Sequence, residues 1–264
     1  MRPTHGGCGD PGQDNRAVFD AVYSPGILDL KCASAWDRGL TQAKQGYVEK
    51  YGPGETVLDI GCGTGAFVRP LLGRASRIFA VDYSASMLHD FAQSLGGCAC
   101  GNAHLLQADA GALPLRDACV GFVFSFAALY YVPDLAAAAR EIARVMRPGA
   151  VAALEIGNRR SINFHLANWQ SAKKGWPAVN ALDLAQTRNL FATAGLEEIE
   201  IRSFQILPMY DAPRALFYLY PALSPLWKKP MGLRLGGRML DEHISGAPLL
   251  RKFAFRHILL LKKP

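Results

Sequence analysis

Three carboxylates that accompany apolar runs are the residues of this chain best suited to hold a polar ligand. Asp59 lies inside the segment Val57–Gly65, in which an apolar run leads into three glycines at alternate positions. Asp82 and Asp109 each follow a further apolar run downstream. Ionised carboxylates accept hydrogen bonds from hydroxyl and amino groups, and a nucleoside carries both. The pattern therefore predicts a nucleoside-bearing cofactor.

The glycines predict a tight turn that touches this ligand. Because glycine has no Cβ, Gly61, Gly63 and Gly65 can adopt strained dihedral angles and let the backbone approach a ligand closely. The apolar residues before them suit a buried strand. Ala66 to Leu72 is then predicted to form a helix, whose first amides would favour an anionic group such as a carboxylate or phosphate.

Two cofactors compete for this turn. Gly61, Gly63 and Ala66 also satisfy the dinucleotide pattern G-x-G-x-x-G/A, and an acid about 20 residues further on suits the ribose of either cofactor. Asp109 could accept a hydrogen bond from the adenine amine, with the Ala110 amide facing a ring nitrogen. A dehydrogenase does not need that group, and the acid before the turn could balance a cationic ligand. An NAD-dependent oxidoreductase is therefore the less favoured interpretation.

These motifs resemble those of the class I S-adenosylmethionine (SAM)-dependent methyltransferases. The resemblance covers roughly residues 45 to 205 and rests on five segments in order: Asp59–Gly65, Val81–Ser84, Ala108–Ala110, Phe122–Ser125 and Arg147–Gly149. It is greatest for the small-molecule branch, which includes quinone-biosynthesis and natural-product methyltransferases. The resemblance implies methyl transfer from SAM, with S-adenosylhomocysteine as the product, to a small-molecule or lipid-like acceptor.

The resemblance also implies a cofactor site spread over several strand ends. Its residues would be Asp59, Gly61, Gly63, Gly65, Asp82, Tyr83, Met87, Asp109, Ala110, Ser125 and Phe126. The glycines would line the methionine part of SAM, with Asp59 beneath it, and Asp82 would hold the ribose. Tyr83 and Met87 would pack near the adenine, whose edge the third acid would contact. Ser125 and Phe126 would border the methyl group.

Candidates for a general base are less clearly indicated. An oxygen acceptor usually needs a base or a metal to remove its proton. His165 and Tyr130 are the catalytic candidates, and His104, Glu155 and Tyr131 are further ones. Packing is the competing interpretation for both tyrosines. No cluster of histidines and carboxylates in the sequence suggests a bound metal.

The order of apolar patterns predicts an α/β fold. Strand and helix signals alternate, which favours a mostly parallel sheet with helices on both faces. The resemblance implies a Rossmann-like three-layer sandwich with seven strands, an antiparallel last strand and helical lid elements. We expect a disordered N-terminus over residues 1–15 and one methyltransferase domain over residues 16–264. The lid elements are expected at residues 16–50, 157–180 and 208–250.

Charge is concentrated at one end of the chain. The net charge is +7, and residues 209–264 hold ten Lys and Arg against three Asp and Glu. The segment 208–250 is also rich in aromatic residues. A basic, aromatic lid suits an amphiphilic acceptor and predicts peripheral membrane contact through residues 208–264.

Several other classes are weighed against this prediction. The segment Ser125–Ala128 stands where enzymes of this class that methylate nucleic-acid amines carry an Asn/Asp-Pro-Pro-aromatic motif, so nucleic acid is disfavoured. A catalytically silent SAM-binding regulator or assembly protein remains the alternative. No apolar run reaches about 18 residues and no signal peptide is evident, so a cytoplasmic location is expected. Cys98 and Cys100 are interpreted as reduced thiols in a loop.

Overall fold

The computed structural model describes residues 34–96, 101–209 and 220–264. The expected disorder of residues 1–15, the first part of the 16–50 lid, and Cys98 and Cys100 lie outside these residues. The described strands are β1 (Thr56–Ile60), β2 (Arg77–Asp82), β3 (Ala103–Gln107), β4 (Val120–Ser125), β5 (Met146–Gly157), β6 (Glu197–Phe204), β7 (Arg234–Leu235), β8 (Arg238–Met239) and β9 (Arg256–Lys262). The described α-helices are α1 (Ala35–Tyr51), α2 (Ala85–Ser94), α3 (Leu135–Val145), α4 (Ile162–Lys174), α5 (Leu184–Thr193), α6 (Tyr220–Met231) and α7 (Leu240–Ser245).

Seven of these strands form one sheet in the order β3-β2-β1-β4-β5-β9-β6. The first five strands of that order pair in parallel. Strand β9 is the exception, because it inserts antiparallel between β5 and β6. The predicted mostly parallel, seven-stranded sheet with an antiparallel last strand is confirmed. Strands β7 and β8 form a separate two-stranded ribbon.

Both faces of the sheet are buried, which makes the fold a three-layer sandwich. Successive residues of a strand point to opposite faces. Accordingly Val57 and Phe124 pack in the core that contains α1. Their neighbours Leu58 and Val123 pack in the core that contains α3 and α5. Strand β4 is buried along its whole length, as expected for a central parallel strand.

Helix α1 covers one face of the sheet and begins at a capping box. The Ser34 side chain accepts from the Asp37 amide, and the Asp37 side chain accepts from the Ser34 amide. Trp36, Leu40 and Tyr47 lie on the buried side of the helix. A lysine, Lys44, is buried on the same helix and carries its charge into the interior.

The predicted helix over Ala66 to Leu72 is wrong. The chain forms turns there and a single 3-10 turn at Arg69–Leu71. Pro70 has no amide hydrogen, and its ring would clash with the carbonyl four residues earlier in an α-helix. Gly65 and Gly73, both at positive φ, bound the segment on either side and leave too few residues for a stable helix. An anion site made by helix amides is therefore not formed at this position.

The last strand follows a 3-10 turn, and the expected lids contain helices. Strand β9 begins at Arg256, after the 3-10 turn Arg251–Phe253. The expected lid over residues 157–180 contains α4, and the described part of the 208–250 lid contains α6, the β7–β8 ribbon and α7. None of the helices in the described ranges is long and apolar enough to span a bilayer.

Candidate functional site

The parallel register brings the ends of the central strands to one edge of the sheet. Ile60 of β1 lies opposite Val81 of β2, and Asp59 lies opposite Phe124 of β4. Asp82, at the end of β2, pairs with Gln107 at the end of β3. Ligands of such sheets bind beyond the carboxyl ends of the strands. The turns that follow β1, β2, β3 and β4 therefore surround one cleft.

The three glycines of the turn after β1 have different roles. All adopt positive φ, with values of 76°, 52° and 80° for Gly61, Gly63 and Gly65. A Cβ added to Gly61 would lie 2.2 Å from the Cβ of Ala128, and one added to Gly65 would lie 2.1 Å from the Phe91 ring. A Cβ on Gly63 would meet nothing within 4 Å. Two glycines are thus required by packing, and the middle one leaves its backbone open to a ligand.

Asp82 is held at the mouth of this turn. Its Oδ2 accepts from the Gly63 amide at 2.7 Å, and its Oδ1 accepts from the Ser84 amide at 2.9 Å. Ser84 also caps α2, since its hydroxyl accepts from the Met87 amide. The acid predicted to hold a ribose is therefore fixed against the glycine turn, 19 residues after Gly63.

Asp59 is a buried carboxylate whose charge nothing in the described chain balances. It is 3% exposed. Burial first, and the charge of Asp82 second, raise the pKa of Asp59 well above 3.8, and no hydrogen bond from the described residues opposes them. Uncompensated buried carboxylates are costly when ionised. A cation placed above the turn would remove that cost, and SAM carries both a sulfonium and an ammonium group.

The residues predicted to contact an adenine lie at the next two strand ends and on α2. Asp109 is exposed, and its Oδ1 accepts from the Gly111 amide at 2.7 Å, which fixes the turn after β3. Ala110, the next residue, is buried, as is Met87 on α2. Tyr83 is half-buried. These groups thus lie at the strand ends or on the helix that follows β2, and their roles stay predictions.

The turn after β4 is fixed from several directions. The Ser125 hydroxyl donates to the Ile60 carbonyl at 2.7 Å and so joins β4 to β1. Phe126 turns inward and packs against Phe124 and Phe67, with ring centroids 5.5 and 5.0 Å apart. Ala127 adopts a positive φ of 60°. Because Ser125 and Phe126 are committed to the interior, the backbone of this turn is what faces the cleft.

The two catalytic candidates occupy different surroundings. Tyr130 is 6% exposed, and its hydroxyl accepts from Arg256 Nη1 at 3.1 Å. His165 lies exposed on α4, where its ring contacts Phe164 edge-on at 5.3 Å. The structure therefore places Tyr130 beside the strand ends and His165 on the exposed side of α4. Either catalytic role stays a prediction.

The partners of Glu155 were not predicted from the sequence. Glu155 lies on β5 and is fully buried, and its Oε2 accepts from Lys44 Nζ at 2.7 Å and from the Ala127 amide at 2.8 Å. Its Oε1 accepts from Arg256 Nη1. Burial alone would raise the pKa of Glu155, but the charges of Lys44 and Arg256 outweigh it and lower the pKa to about 2.

Glu155 is therefore ionised and committed to three donors, which argues against its earlier candidacy as a base. A lysine within the apolar face of α1 was the one signal in the sequence that could have indicated a buried ion pair. Elsewhere in the described chain, no group of three metal-binding side chains comes together.

This arrangement fits SAM. A parallel sheet with a glycine turn and three acids at or near its strand ends is the arrangement that the resemblance to class I methyltransferases predicts. Residues 58–154 match the family model described as a methyltransferase domain. The chain belongs to the class I SAM-dependent methyltransferases, and its methyl donor is SAM, as predicted.

Relatives of known name support the same family. The chain is 32% identical over 204 residues to malonyl-[acyl-carrier protein] O-methyltransferase of Serratia marcescens, covering 76% of this chain and 77% of that protein. It is 26% identical over 220 residues to demethylmenaquinone methyltransferase of Oceanobacillus iheyensis, covering 71% of this chain and 88% of that protein. The predicted small-molecule branch is confirmed.

Solved structures share the fold. A SAM-dependent methyltransferase from Mesorhizobium loti superposes with a TM-score of 0.60 at 17% identity, covering 89% of this chain and all of that one. Geranyl diphosphate C-methyltransferase of Streptomyces coelicolor, solved with S-adenosylhomocysteine, gives a TM-score of 0.58 at 17% identity, covering 86% and 81% of the two chains.

The state of Asp59 predicts that SAM binding releases a proton. In the free protein the pKa of Asp59 is raised, so Asp59 is protonated below that raised value; a bound cation favours the carboxylate and lowers the pKa. Affinity for SAM should therefore rise with pH, by up to about tenfold per unit, between the pKa of Asp59 in the complex and its raised pKa in the free protein, and level off above the latter. Titration calorimetry in buffers of different ionisation enthalpy measures the released proton.

The matched variants are Asp59→Asn and the exposed Asp117→Asn. We expect proton release to disappear in the first and to persist in the second. Equal proton release by wild type and Asp59→Asn would contradict the assignment of this carboxylate.

Proposed function

We propose that the protein methylates a carboxylate oxygen of a small acyl acceptor. The observation that carries the proposal is the 32% identity, over about three-quarters of both chains, to a malonyl-[acyl-carrier protein] O-methyltransferase. That protein's name specifies an anionic acyl group as the acceptor. A carboxylate is already ionised at neutral pH, so its methylation needs no proton transfer to a base.

The basic side chains near the turn after β4 are consistent with an anionic substrate. Lys44 and Arg256 both reach the turn after β4, where each forms an ion pair with Glu155. The Tyr130 hydroxyl accepts from Arg256 at the same place. Basic side chains at this place favour a negatively charged acceptor. Tyr130 is proposed to orient this acceptor, and His165 to contact the part of it that extends toward α4.

The remaining residues bind and align. When bound, SAM supplies an electrophilic methyl group on a sulfonium. Asp82 would accept from the ribose hydroxyls, Asp109 from the adenine amine, and the Gly63 backbone would adjoin the methionine part. The turn after β4, including Ser125 and Phe126, would keep water away from the methyl group. Alignment of acceptor, methyl and sulfur can supply several kcal/mol of the rate enhancement.

An assay with paired acceptors tests this proposal. Radiolabelled methyl transfer from SAM should be detected with a malonyl thioester and be absent with an acetyl thioester, which differs by lacking the free carboxylate. Tyr130→Phe should lower kcat/KM for the malonyl thioester by about tenfold, because one orienting hydroxyl is lost.

Two results would contradict the carboxylate assignment. Transfer to a demethylated naphthoquinol with none to the malonyl thioester would favour the acceptor named by the menaquinone relative. Equal transfer to malonyl and acetyl thioesters would show that the free carboxylate is not the methylated group.

We also propose that the described part of the 208–250 lid contacts an anionic amphiphile or membrane surface. Leu226, Leu233 and Leu235 are exposed by 70%, 60% and 55%. Arg234 and Arg238 lie on the β7–β8 ribbon together with Leu235. Exposed leucines alternating with arginines suit a surface that is apolar inside and negatively charged outside.

Vesicle co-sedimentation tests this contact. The protein should sediment with vesicles of mixed phosphatidylcholine and phosphatidylglycerol, and about tenfold less with phosphatidylcholine alone. Serine at Leu226, Leu233 and Leu235 should abolish the difference. The matched control is Ile199→Ser, which removes an exposed apolar residue from the edge strand β6. Sedimentation unchanged by the triple substitution would rule this surface out.

A further inference from the structure

The turn after β4 holds a conformation that its own sequence disfavours. Ala127 has a φ of 60°, in the left-handed region that alanine rarely adopts and glycine adopts readily. Its side chain is exposed, so packing of the methyl group does not impose this conformation. The Ala127 amide donates to Glu155 at 2.8 Å. This hydrogen bond, to an ionised and buried carboxylate, is the interaction that can offset the strain.

Glu155 is itself positioned from two sides. Lys44 reaches it from α1, and Arg256 reaches it from β9, the strand that pairs with β5. Arg256 is oriented in turn by Gln205, whose Oε1 accepts from Arg256 Nε at 2.8 Å. Lys44 also lies 5.7 Å from the centroid of the Phe126 ring. The carboxylate therefore cannot move away from the Ala127 amide without losing both ion pairs.

The turn that Glu155 holds is in contact with the cofactor turn. Gly61 and Ala128 approach so closely that a Cβ on Gly61 would lie 2.2 Å from the Ala128 Cβ. A shift of the Ala127–Ala128 backbone would therefore displace the first glycine of the turn or open a gap beside it. The Ser125–Ile60 hydrogen bond fixes the strands below but leaves the conformation of the turn above undetermined.

We propose that Glu155, with Lys44 and Arg256, is a positioning unit that sets the shape of the SAM cleft by holding the Ala127 amide. This inference rests on the SAM-binding function of the family. It assigns to α1 a second task besides covering the sheet, because the lysine that completes the unit comes from that helix. Glu155 acts on the cofactor through Ala127 and Ala128 and makes no contact with the reacting atoms.

The test is the dissociation constant for S-adenosylhomocysteine, measured by titration calorimetry on the full chain, together with the melting temperature. Glu155→Gln should raise the dissociation constant by about tenfold, since the neutral amide forms no ion pair, and its one NH2 group must face either Arg256 or the donors Lys44 and Ala127, which weakens its hold on the turn. The matched control is Glu242→Gln. Glu242 is also a buried carboxylate, paired with Arg202 by two hydrogen bonds of 2.7 Å, but it lies on α7 away from the turn. Glu242→Gln should lower the melting temperature and leave the dissociation constant for S-adenosylhomocysteine unchanged.

A rescue separates positioning from general stability. Ala127→Gly removes the conformational strain at φ 60°. In the Glu155→Gln background it should return the dissociation constant to within about threefold of wild type, without restoring the ion pairs or the melting temperature. If Glu155→Gln does not fold, Lys44→Met, which keeps the Arg256 pair, should give a smaller loss with the same rescue.

Three results would overturn the proposal: an unchanged dissociation constant in Glu155→Gln, an equal loss in Glu242→Gln, or no rescue by Ala127→Gly. Failure of the wild-type chain to bind S-adenosylhomocysteine would instead contradict the SAM-binding function itself.

Discussion

The parallel pairing of β1 with β2 and β4 is the constraint on which the site depends. It brings the ends of three strands to one edge, so that turns far apart in sequence form one cleft. Hydrogen bonds join Gly63 to Asp82 and Ser125 to Ile60, and Gly61 approaches Ala128 too closely for a Cβ to fit between them. Because these turns touch, a change in one of them alters the shape of the whole cleft.

The two buried carboxylates at this edge, Glu155 and Asp59, have pKa values shifted in opposite directions. Glu155 is compensated by two cations and an amide, stays ionised, and acts as a fixed part of the framework. Asp59 has no such compensation from the described chain, and burial raises its pKa. In the free protein burial favours the neutral form of Asp59, and we predict that a bound cation favours the carboxylate.

Short patterns and the family resemblance predicted the local features and the type of sheet, whereas specific long-range side-chain contacts were not predictable from the sequence. The strands, the glycine turn and the acids at strand ends follow from short patterns of apolar residues, glycine and aspartate. The helix expected at Ala66 to Leu72 failed because Pro70 outweighs a short apolar pattern. The ion-pair partners of Glu155 were not predictable from local patterns, because Lys44 and Arg256 each lie more than a hundred residues from it. Only the docking of α1 and the pairing of β9 bring them together.

The most direct test of SAM as the cofactor is thermal melting of the purified chain with S-adenosylhomocysteine, SAM, NADH or no ligand, alongside Asp82→Ala. A ligand at about 100 times its Kd adds roughly 2.7 kcal/mol to the free energy of unfolding, which gives a readable shift. The account predicts a shift with the two sulfur nucleosides, none with NADH, and loss of the shift in Asp82→Ala. A shift with NADH alone, or a shift with SAM that survives in Asp82→Ala, would contradict it.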